Sequence, residues 1–96
     1  MRRFALSPRA QADLDEIWDY SATRWGVLQS EAYVRLIQTA MQTLAASPGL
    51  GRTCDAIRRG YRRHPAGSHV IFYRQHGGII EIIRILHQRM DVGSHL

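Results

Sequence analysis

Two runs of β-branched and aromatic residues, His69–His76 and Ile79–His87, are separated only by the dipeptide Gly77-Gly78. A two-residue glycine loop between such runs is a strong signal for a β-hairpin, because the favoured turn types require positive φ angles. The loop predicts a register in which Arg74 faces Glu81, and this opposite-charge pair supports the alignment. Any fold of this chain must therefore accommodate an antiparallel strand pair near its C-terminal end.

The same register pairs Phe72 with Ile83 and Val70 with Ile85, and it leaves both faces of the hairpin apolar. One face carries Val70, Phe72, Ile83 and Ile85, and the other carries Ile71, Tyr73, Ile80, Ile82 and Leu86. Two apolar faces are typical of a strand pair that is covered on both sides. Because one pair of helices can cover only one face, the second must be covered by the C-terminal tail, by another chain, or by both.

The first half of the chain carries the three- and four-residue apolar spacing of α-helices. Ser7 followed by Pro8 is a good helix start, and the spacing predicts a helix over residues 8–25 that stops at Gly26. Its predicted buried face comprises Leu14, Ile17, Trp18, Ser21, Ala22 and Trp25. A second helix is predicted over residues 30–47, and its predicted buried face comprises Ala32, Tyr33, Leu36, Ile37, Ala40, Met41 and Leu44. The short link between the two predicts an antiparallel helical hairpin.

Two shorter strands are predicted at residues 3–6 and 61–64, and residues 88–96 form a tail without clear periodicity. The expected fold is a single α+β domain over residues 1–96. It comprises an N-terminal strand, the antiparallel helical hairpin, and then a small antiparallel sheet of about three strands. A length of 96 residues leaves no room for a second core.

The composition is typical of a folded cytoplasmic domain, with 45% hydrophobic and 22% charged residues. Cys54 is the single cysteine, so no disulfide can form within the chain. No apolar run is long enough to span a membrane, and the N-terminal residues lack the core of a signal peptide. We therefore expect a cytoplasmic protein without membrane contact.

Positive charge is concentrated in the second half of the chain. Residues 1–51 hold five Arg and five acidic residues, whereas residues 52–96 hold eight Arg and three acidic residues. The segment from Arg52 to Arg63 alone carries five Arg against one acid, Asp55. This asymmetry predicts an acidic or nucleic-acid partner for the second half, with a solvated cationic loop as the alternative.

Sequence signatures of catalysis are mostly absent. The segment Gly67-Ser68-His69 lacks the flanking glycine of a nucleophile elbow, and Gly49-Leu50-Gly51 is not followed by the residues of a phosphate-binding loop. Cys54 has no nearby histidine to activate it, which favours a plain thiol over a nucleophile.

The histidines leave two further chemical hypotheses. His87, Asp91 and His95 have metal-ligand spacing only if the tail is helical, and Gly93 disfavours such a helix, so no metal or cofactor is predicted. Acid–base cleavage of RNA needs a base, an acid and cations that stabilise the developing charge. The residues that could supply these groups are His64, His69 and His87 with Arg62, Arg63 and Arg84. Ordinary surface hydrogen bonding is the alternative role for these histidines.

Several segments of the chain, taken in order, resemble the ParE toxins of bacterial toxin–antitoxin modules. The matching segments are Leu6-Ser7-Pro8-Arg9-Ala10, Asp13-Leu14, Ile17-Trp18-Asp19-Tyr20, Trp25-Gly26, Ser47-Pro48-Gly49-Leu50-Gly51-Arg52, Gly67-Ser68-His69-Val70-Ile71-Phe72-Tyr73-Arg74 and Ile82-Ile83-Arg84-Ile85-Leu86-His87-Gln88-Arg89-Met90-Asp91. The resemblance covers nearly the whole chain with little room for gaps. Together the segments are specific, although no single one is diagnostic.

This resemblance implies a RelE/ParE-type α+β fold and a ParD-type antitoxin as partner, in a hetero-oligomer of two or more copies of each chain. The antitoxin's ribbon-helix-helix domain would bind operator DNA, so this chain would meet that DNA only indirectly. ParE members act on DNA gyrase by stabilising cleaved DNA, which implies inhibition by binding and no catalytic residues.

The RelE branch of the same fold cuts mRNA on the ribosome, and a RelE-like endoribonuclease is the alternative function. Against it, the chain has no Lys and no Tyr after Tyr73. A third hypothesis is a basic nucleic-acid-binding domain without toxicity.

Two sets of site residues follow from the resemblance and the chemistry of the side chains. Apolar anchors and acidic groups of the antitoxin are expected to meet Trp25, Tyr33, Arg63, Arg74 and Arg84. The C-terminal end is implicated in toxicity in that family, and the expected target-binding residues are His87, Arg89, Asp91 and His95. The tail is therefore expected to form part of the target-facing surface.

Overall fold

The computed structural model describes residues 3–96 of the chain. The elements, in order, are β1 (Phe4–Leu6), α1 (Pro8–Trp25), α2 (Val27–Ala46), β2 (Arg52–Thr53), β3 (Arg62–Ala66), β4 (His69–His76), β5 (Ile79–His87) and α3 (Val92–His95). The α+β class and the helical hairpin agree with the fold expected from the sequence. Within the described residues, no helix combines the length and apolar character needed to cross a membrane.

All five strands join one sheet in the order β1-β5-β4-β3-β2. β1 pairs with β5 in parallel, and the other neighbours are antiparallel. The expectation of about three strands in the sheet was therefore too low. β1 lies beside the last strand of the chain, and β2 is only two residues long, which is too short to show a period.

The helical hairpin is tighter than predicted. α2 begins at Val27 instead of about residue 30, so the link is the single residue Gly26, whose φ of 92° favours glycine. The Ser7 hydroxyl caps α1 by accepting from the Ala10 N–H at 3.0 Å. The same hydroxyl donates to the Ile83 carbonyl at 2.8 Å, which ties the start of α1 to β5.

The register of the β4–β5 hairpin changes at a bulge. Arg74 faces Glu81 and Tyr73 faces Ile82 as predicted. The predicted pairs of Phe72 with Ile83 and of Val70 with Ile85 are wrong. A register shift lies between Phe72 and Tyr73, so Phe72 pairs with Arg84 and Val70 with Leu86. The shift moves Ile85 to the face that packs on the helices and Leu86 to the opposite face.

The sheet has a core on each side. On the helix face, α1 and α2 pack against Ile71, Tyr73, Ile80, Ile82 and Ile85. On the opposite face, which we call the tail face, Val70, Phe72, Leu86 and Cys54 form a second buried cluster, covered by Tyr61, Val92 and Leu96. The chain's own tail thus contributes to the cover of the second face, one of the alternatives that the sequence left open.

The helix faces differ in part from the predicted ones. Leu14 and Ile17 of α1 are buried as expected, but Trp25 is 60% exposed because it is the last residue of α1, beside the Gly26 turn. On α2, Ile37, Met41 and Leu44 are buried, whereas Ala32 and Leu36 are exposed. Asp13 occupies a buried position that an apolar pattern cannot anticipate.

Candidate functional site

A groove opens between the helical hairpin and the ends of β4 and β5. Its cavity has a volume of about 320 Å³. The side chains that line this hairpin groove are Tyr20, Ser21, Trp25, Gln29, Tyr33, Ser68, His69 and His87. Aromatic and polar groups therefore share one concave surface, which is the usual form of a recognition site.

The floor of the hairpin groove is held by Tyr33. Its hydroxyl lies 2.6 Å from His69 Nδ1 and accepts from the Ser68 N–H at 2.9 Å. A side chain at Gly67 would collide with the Tyr33 ring, and Gly67 has a φ of 62°, so this close approach requires glycine. Tyr33 is thus a fixed part of the floor.

His69 and His87 face each other at paired strand positions, with ring centroids 5.3 Å apart. Burial is the main cause that lowers the pKa of His69 below its ordinary value, and the neighbouring His87 lowers it further. His87 Nδ1 accepts from the Arg89 N–H at 3.2 Å. His69 therefore remains neutral near pH 7.

The rim of the hairpin groove is apolar and exposed. Tyr20 and Trp25 contact each other edge to face, with ring centroids 5.9 Å apart, and the Arg24 guanidinium lies over both rings. Beside them Val27 is 57% exposed and Leu28 is 83% exposed. Exposed apolar and aromatic side chains grouped in this way mark a protein-binding surface.

Arg84 is buried and already paired. Its Nε and Nη2 atoms donate to the two carboxylate oxygens of Asp13, each at 2.7 Å, and Nη1 donates to the His95 carbonyl at 2.9 Å. The hydrogen bonds to Asp13 raise the pKa of Arg84 above its usual value. The guanidinium of Arg84 is therefore poorly accessible to an acidic group of the antitoxin, and its place in the antitoxin-facing set stays a prediction.

The other predicted antitoxin contacts lie on different surfaces. Trp25 and Tyr33 both line the hairpin groove. Arg74 is half-exposed and pairs with Glu81 at 2.9 Å. Arg63 is exposed on the tail face, where its guanidinium lies 5.9 Å from the centre of the Phe72 ring. A single straight partner segment cannot contact the hairpin groove and Arg63 together, because they lie on opposite faces of the sheet.

The four predicted target-binding residues are also divided. His87 belongs to the hairpin groove, while Arg89 and Asp91 are exposed in the tail. The Asp91 carboxylate caps α3 by accepting from the Gly93 N–H and the Ser94 hydroxyl. His95 is half-buried, and its carbonyl oxygen accepts a hydrogen bond from Arg84 Nη1. Arg89 is therefore the member of this set with the least evident structural role.

The residues of the hypothetical RNA-cleaving set are not assembled. His69 and His87 are adjacent on the helix face, but Arg63 projects from the tail face and Arg84 is bound to Asp13. No arginine is among the described residues that line the hairpin groove. Arg63 and Arg84 are therefore not placed to stabilise a phosphorane-like charge beside the histidine pair.

Other candidate chemistry is also unsupported by the geometry. Across residues 3–96, no three His, Cys, Asp or Glu side chains are grouped as metal ligands, and His87 lies in the groove away from the Asp91 cap. Burial is the main cause that raises the pKa of the Cys54 thiol, which disfavours the reactive thiolate.

Two positioning residues were missed by sequence reasoning. Asp13 was not singled out as a buried residue, because apolar spacing identifies apolar side chains and gives no signal for a buried acid. The buried Tyr73 donates to the Pro48 carbonyl at 2.7 Å and accepts from the Gly51 N–H at 2.9 Å, which holds the loop after α2. The signal for this second contact was the glycine at position 51, where a side chain would collide with the Tyr73 hydroxyl.

Comparisons with known proteins agree on one family. A family model described as the ParE toxin of the type II toxin–antitoxin system parDE matches residues 4–92. Toxin ParE1 of Mycobacterium tuberculosis H37Rv is 56% identical over 95 residues, covering 98% of this chain and 97% of that protein. Toxin ParE1 of Caulobacter vibrioides is 50% identical over 96 residues, covering 100% and 99%. A solved structure described as the chromosomal ParDE TA system from P. aeruginosa superposes with a TM-score of 0.78 at 26% identity, covering 91% and 96%.

Proposed function

Since this chain belongs to the ParE toxin family of type II toxin–antitoxin systems, we propose that it inhibits DNA gyrase by binding it, and that a ParD-type antitoxin neutralises it. The inhibition uses no chemistry of the toxin's own. The site of action is the cytoplasm, where gyrase and DNA are found. The complex with the antitoxin contains two or more copies of each chain.

The observation that carries the proposal is the hairpin groove. An amphipathic antitoxin helix can place apolar side chains between Trp25 and Tyr33, as in other helix-in-groove complexes. Acidic groups at the edge of that helix can meet Arg24 above the rim or the half-exposed Arg74. The size and aromatic content of the groove suit a protein anchor better than a phosphate.

The tail is the proposed gyrase-facing element. Arg89, Met90 and the Asp91 turn are exposed, whereas Val92 and Leu96 pack inward on the sheet. His87 and His95 contribute from the two ends of this segment, His87 at the groove and His95 through its half-buried ring.

A second candidate function, ribosome-dependent mRNA cleavage, has one observation in its favour, the adjacent pair of His69 and His87. Purified toxin added to a gyrase supercoiling reaction and to a cell-free translation reaction separates the two functions. We expect loss of supercoiling with intact transcripts. Cut transcripts together with unaffected supercoiling would replace the proposal by the second candidate.

Substitution of the histidines provides an independent test. His64→Gln and His69→Gln are expected to leave gyrase inhibition largely intact, because binding needs no proton transfer. An acid–base nuclease would lose roughly 100-fold or more when its essential group is removed. Circular dichroism of each variant checks that the fold is retained.

A further inference from the structure

Four residues form one row across the tail face of the sheet. Arg52 on β2 pairs with Arg63 on β3, Arg63 pairs with Phe72 on β4, and Phe72 pairs with Arg84 on β5. Neighbouring strands lie about 4.8 Å apart, so the row spans roughly 14 Å. Arg84 at one end pairs with Asp13. The other end of the row carries two arginines, Arg52 and Arg63, at paired strand positions.

The pairing of Arg52 with Arg63 places like charges at directly opposed positions. Such a pair destabilises a sheet. Neither guanidinium has an acidic partner, because the ion pairs among residues 3–96 are Arg74–Glu81 and Arg84–Asp13. Asp55, the nearest acid in sequence, instead accepts from the Gly60 N–H within its own loop. The chain therefore keeps uncompensated positive charge at a position where it costs stability.

The two arginines lie at the edge of a shallow recess. Arg52 and Arg63 flank a cavity of about 340 Å³ whose other lining includes Cys54 and Ile57. Nearby, the Arg58 guanidinium lies 5.8 Å from the centre of the Tyr61 ring and donates to the Leu96 carbonyl, so that side chain is held at the tail. We call the surface formed by Arg52, Arg58 and Arg63 the arginine face.

We propose that the arginine face binds the phosphate backbone of duplex DNA. Planar guanidinium groups match phosphate oxygens with two parallel hydrogen bonds, and such contacts need no base recognition. The most exposed apolar side chains are grouped at the other side of the sheet, at Trp25 and Leu28, whereas Ile57 in the recess is only 38% exposed. Charge complementarity thus favours a polyanion of regular spacing over an acidic peptide.

The inference deepens the proposed function and rests on it, because gyrase presents duplex DNA to whatever binds beside it. The arginine face and the hairpin groove lie on opposite faces of the sheet. An antitoxin segment confined to the groove therefore leaves the arginine face open, and the inference assigns Arg63 to DNA instead of to the antitoxin. Direct contact with DNA also goes beyond the expectation that this chain meets DNA only through the antitoxin.

Binding of a fluorescein-labelled 20-base-pair duplex, followed by anisotropy at increasing NaCl concentration, tests the inference without gyrase. The double substitution Arg52→Gln with Arg63→Gln is expected to weaken binding about tenfold or more at low salt. It is also expected to reduce the slope of log affinity against log salt by about 2, one for each lost phosphate contact. The matched control, Arg9→Gln with Arg35→Gln, removes the same charge from exposed helix positions and is expected to stay within about twofold of the wild type.

Three results would overturn the inference. One is an equal loss of affinity in both double variants, which would reduce the effect to net charge. Another is polyglutamate that competes as well as unlabelled duplex, which would identify an acidic protein as the partner. The third is tighter binding of a single-stranded RNA of the same length.

The fold of the tested variant is checked by thermal melting. Since the substitution removes a like-charge pair, the melting temperature is expected to stay constant or rise. If the double variant melts early, the single substitution Arg52→Gln on the short edge strand β2 carries the same test with half the change in slope.

A parallel supercoiling assay distinguishes failure of the DNA-binding inference from failure of the proposed gyrase inhibition. It also tests whether the bound DNA is the DNA held by gyrase. Specific duplex binding by a toxin that leaves gyrase unaffected would support the inference and refute the proposed function. Inhibition that falls more in the Arg52/Arg63 variant than in the control would place the contact on gyrase-held DNA. If gyrase inhibition persists but the wild-type toxin shows no salt-sensitive duplex binding, the inference fails alone.

Discussion

Asp13 joins the first helix to the last strand. Its carboxylate accepts from Arg84 Nε, from Arg84 Nη2 and from the Ile85 N–H at 2.9 Å, and both side chains of the ion pair are about nine-tenths buried. A buried carboxylate is stable only while its partners remain in place. The ion pair therefore makes the packing of α1 depend on β5.

Asp13→Asn is expected to lower the free energy of unfolding by about 3 kcal/mol, because it leaves the buried guanidinium of Arg84 without a counter-charge. Urea denaturation followed by circular dichroism measures the loss. Asp19→Asn, at an exposed position of the same helix, is the control and is expected to change stability by less than about 0.5 kcal/mol. Equal losses in the two variants would show that the ion pair contributes nothing beyond the surface charge of α1.

His69 makes stability depend on pH. Its pKa in the folded protein lies below the ordinary 6.5, mainly through burial and then through His87, while Asp13 acts in the opposite direction and Tyr33 contacts the ring. The unfolded chain therefore binds more protons at mildly acidic pH. The contribution of His69 is complete above about pH 6.5 and is lost as the pH falls below that value.

Unfolding measured from pH 7.5 to 5 is expected to show a decline in stability that is smaller in His69→Gln. The control is His76→Gln, at the exposed end of β4, which is expected to keep the wild-type decline. A decline that is unchanged by His69→Gln but removed by His76→Gln would contradict the assignment to His69 and place the pH dependence at the other end of β4.

Local sequence signals predicted where helices and strands begin and end, but they did not predict which elements contact one another. Ser7-Pro8 and Gly26 mark the ends of α1, and Gly77-Gly78 marks the hairpin, because capping and turn chemistry are local. The bulge between Phe72 and Tyr73 has no local sequence signal, and it lies where Ser7 and Asp13 bond the β5 backbone at Ile83 and Ile85. The same limit applies to the site. Trp25 and Tyr33 were proposed as groove residues from their aromatic side chains. The pairing of Arg84 with Asp13 could not be predicted, because the two residues are 71 positions apart in the sequence.

Within the tail, different residues serve packing and the proposed binding: Leu96 packs on the sheet, whereas Arg89 is exposed. Leu96→Ala is expected to lower the free energy of unfolding by about 1–2 kcal/mol, less than for a fully buried leucine, because this side chain is half-buried on the tail-face cluster. Arg89→Ala is expected to leave stability unchanged and to weaken gyrase inhibition. Chemical denaturation and supercoiling assays on both variants measure the two effects. Full inhibition by a folded Arg89→Ala protein would remove the tail from the proposed gyrase surface.

On the scale of the whole molecule, the sheet divides two recognition surfaces. The helix face ends in the hairpin groove, and the tail face carries the row of arginines. From the composition, only the excess of positive charge in the second half of the chain could be predicted, and not its place on one face of the sheet. The distribution over two faces follows from strand alternation in a register that includes the bulge.

Trp25→Ala is expected to weaken antitoxin binding roughly 30-fold or more, as for an aromatic residue at the centre of an interface. Its stability is expected to stay near that of the wild type, because Trp25 is 60% exposed. Isothermal titration with the ParD-type antitoxin measures the affinity. The control is Leu50→Ala, at an apolar residue that is 50% exposed and lies outside the groove, and the same loss there would contradict docking in the hairpin groove.

The parallel pairing of β1 with β5 has a consequence for biosynthesis. Phe4 pairs with Ile80, so the first strand to leave the ribosome has no neighbour until the last strand has followed it. Non-local pairing of this kind slows folding, because a long loop must close before any contact forms. A nascent chain therefore cannot complete its sheet until β5 has been synthesised. The proposed antitoxin, when it is already present in the cell, can therefore meet the chain before its sheet is complete.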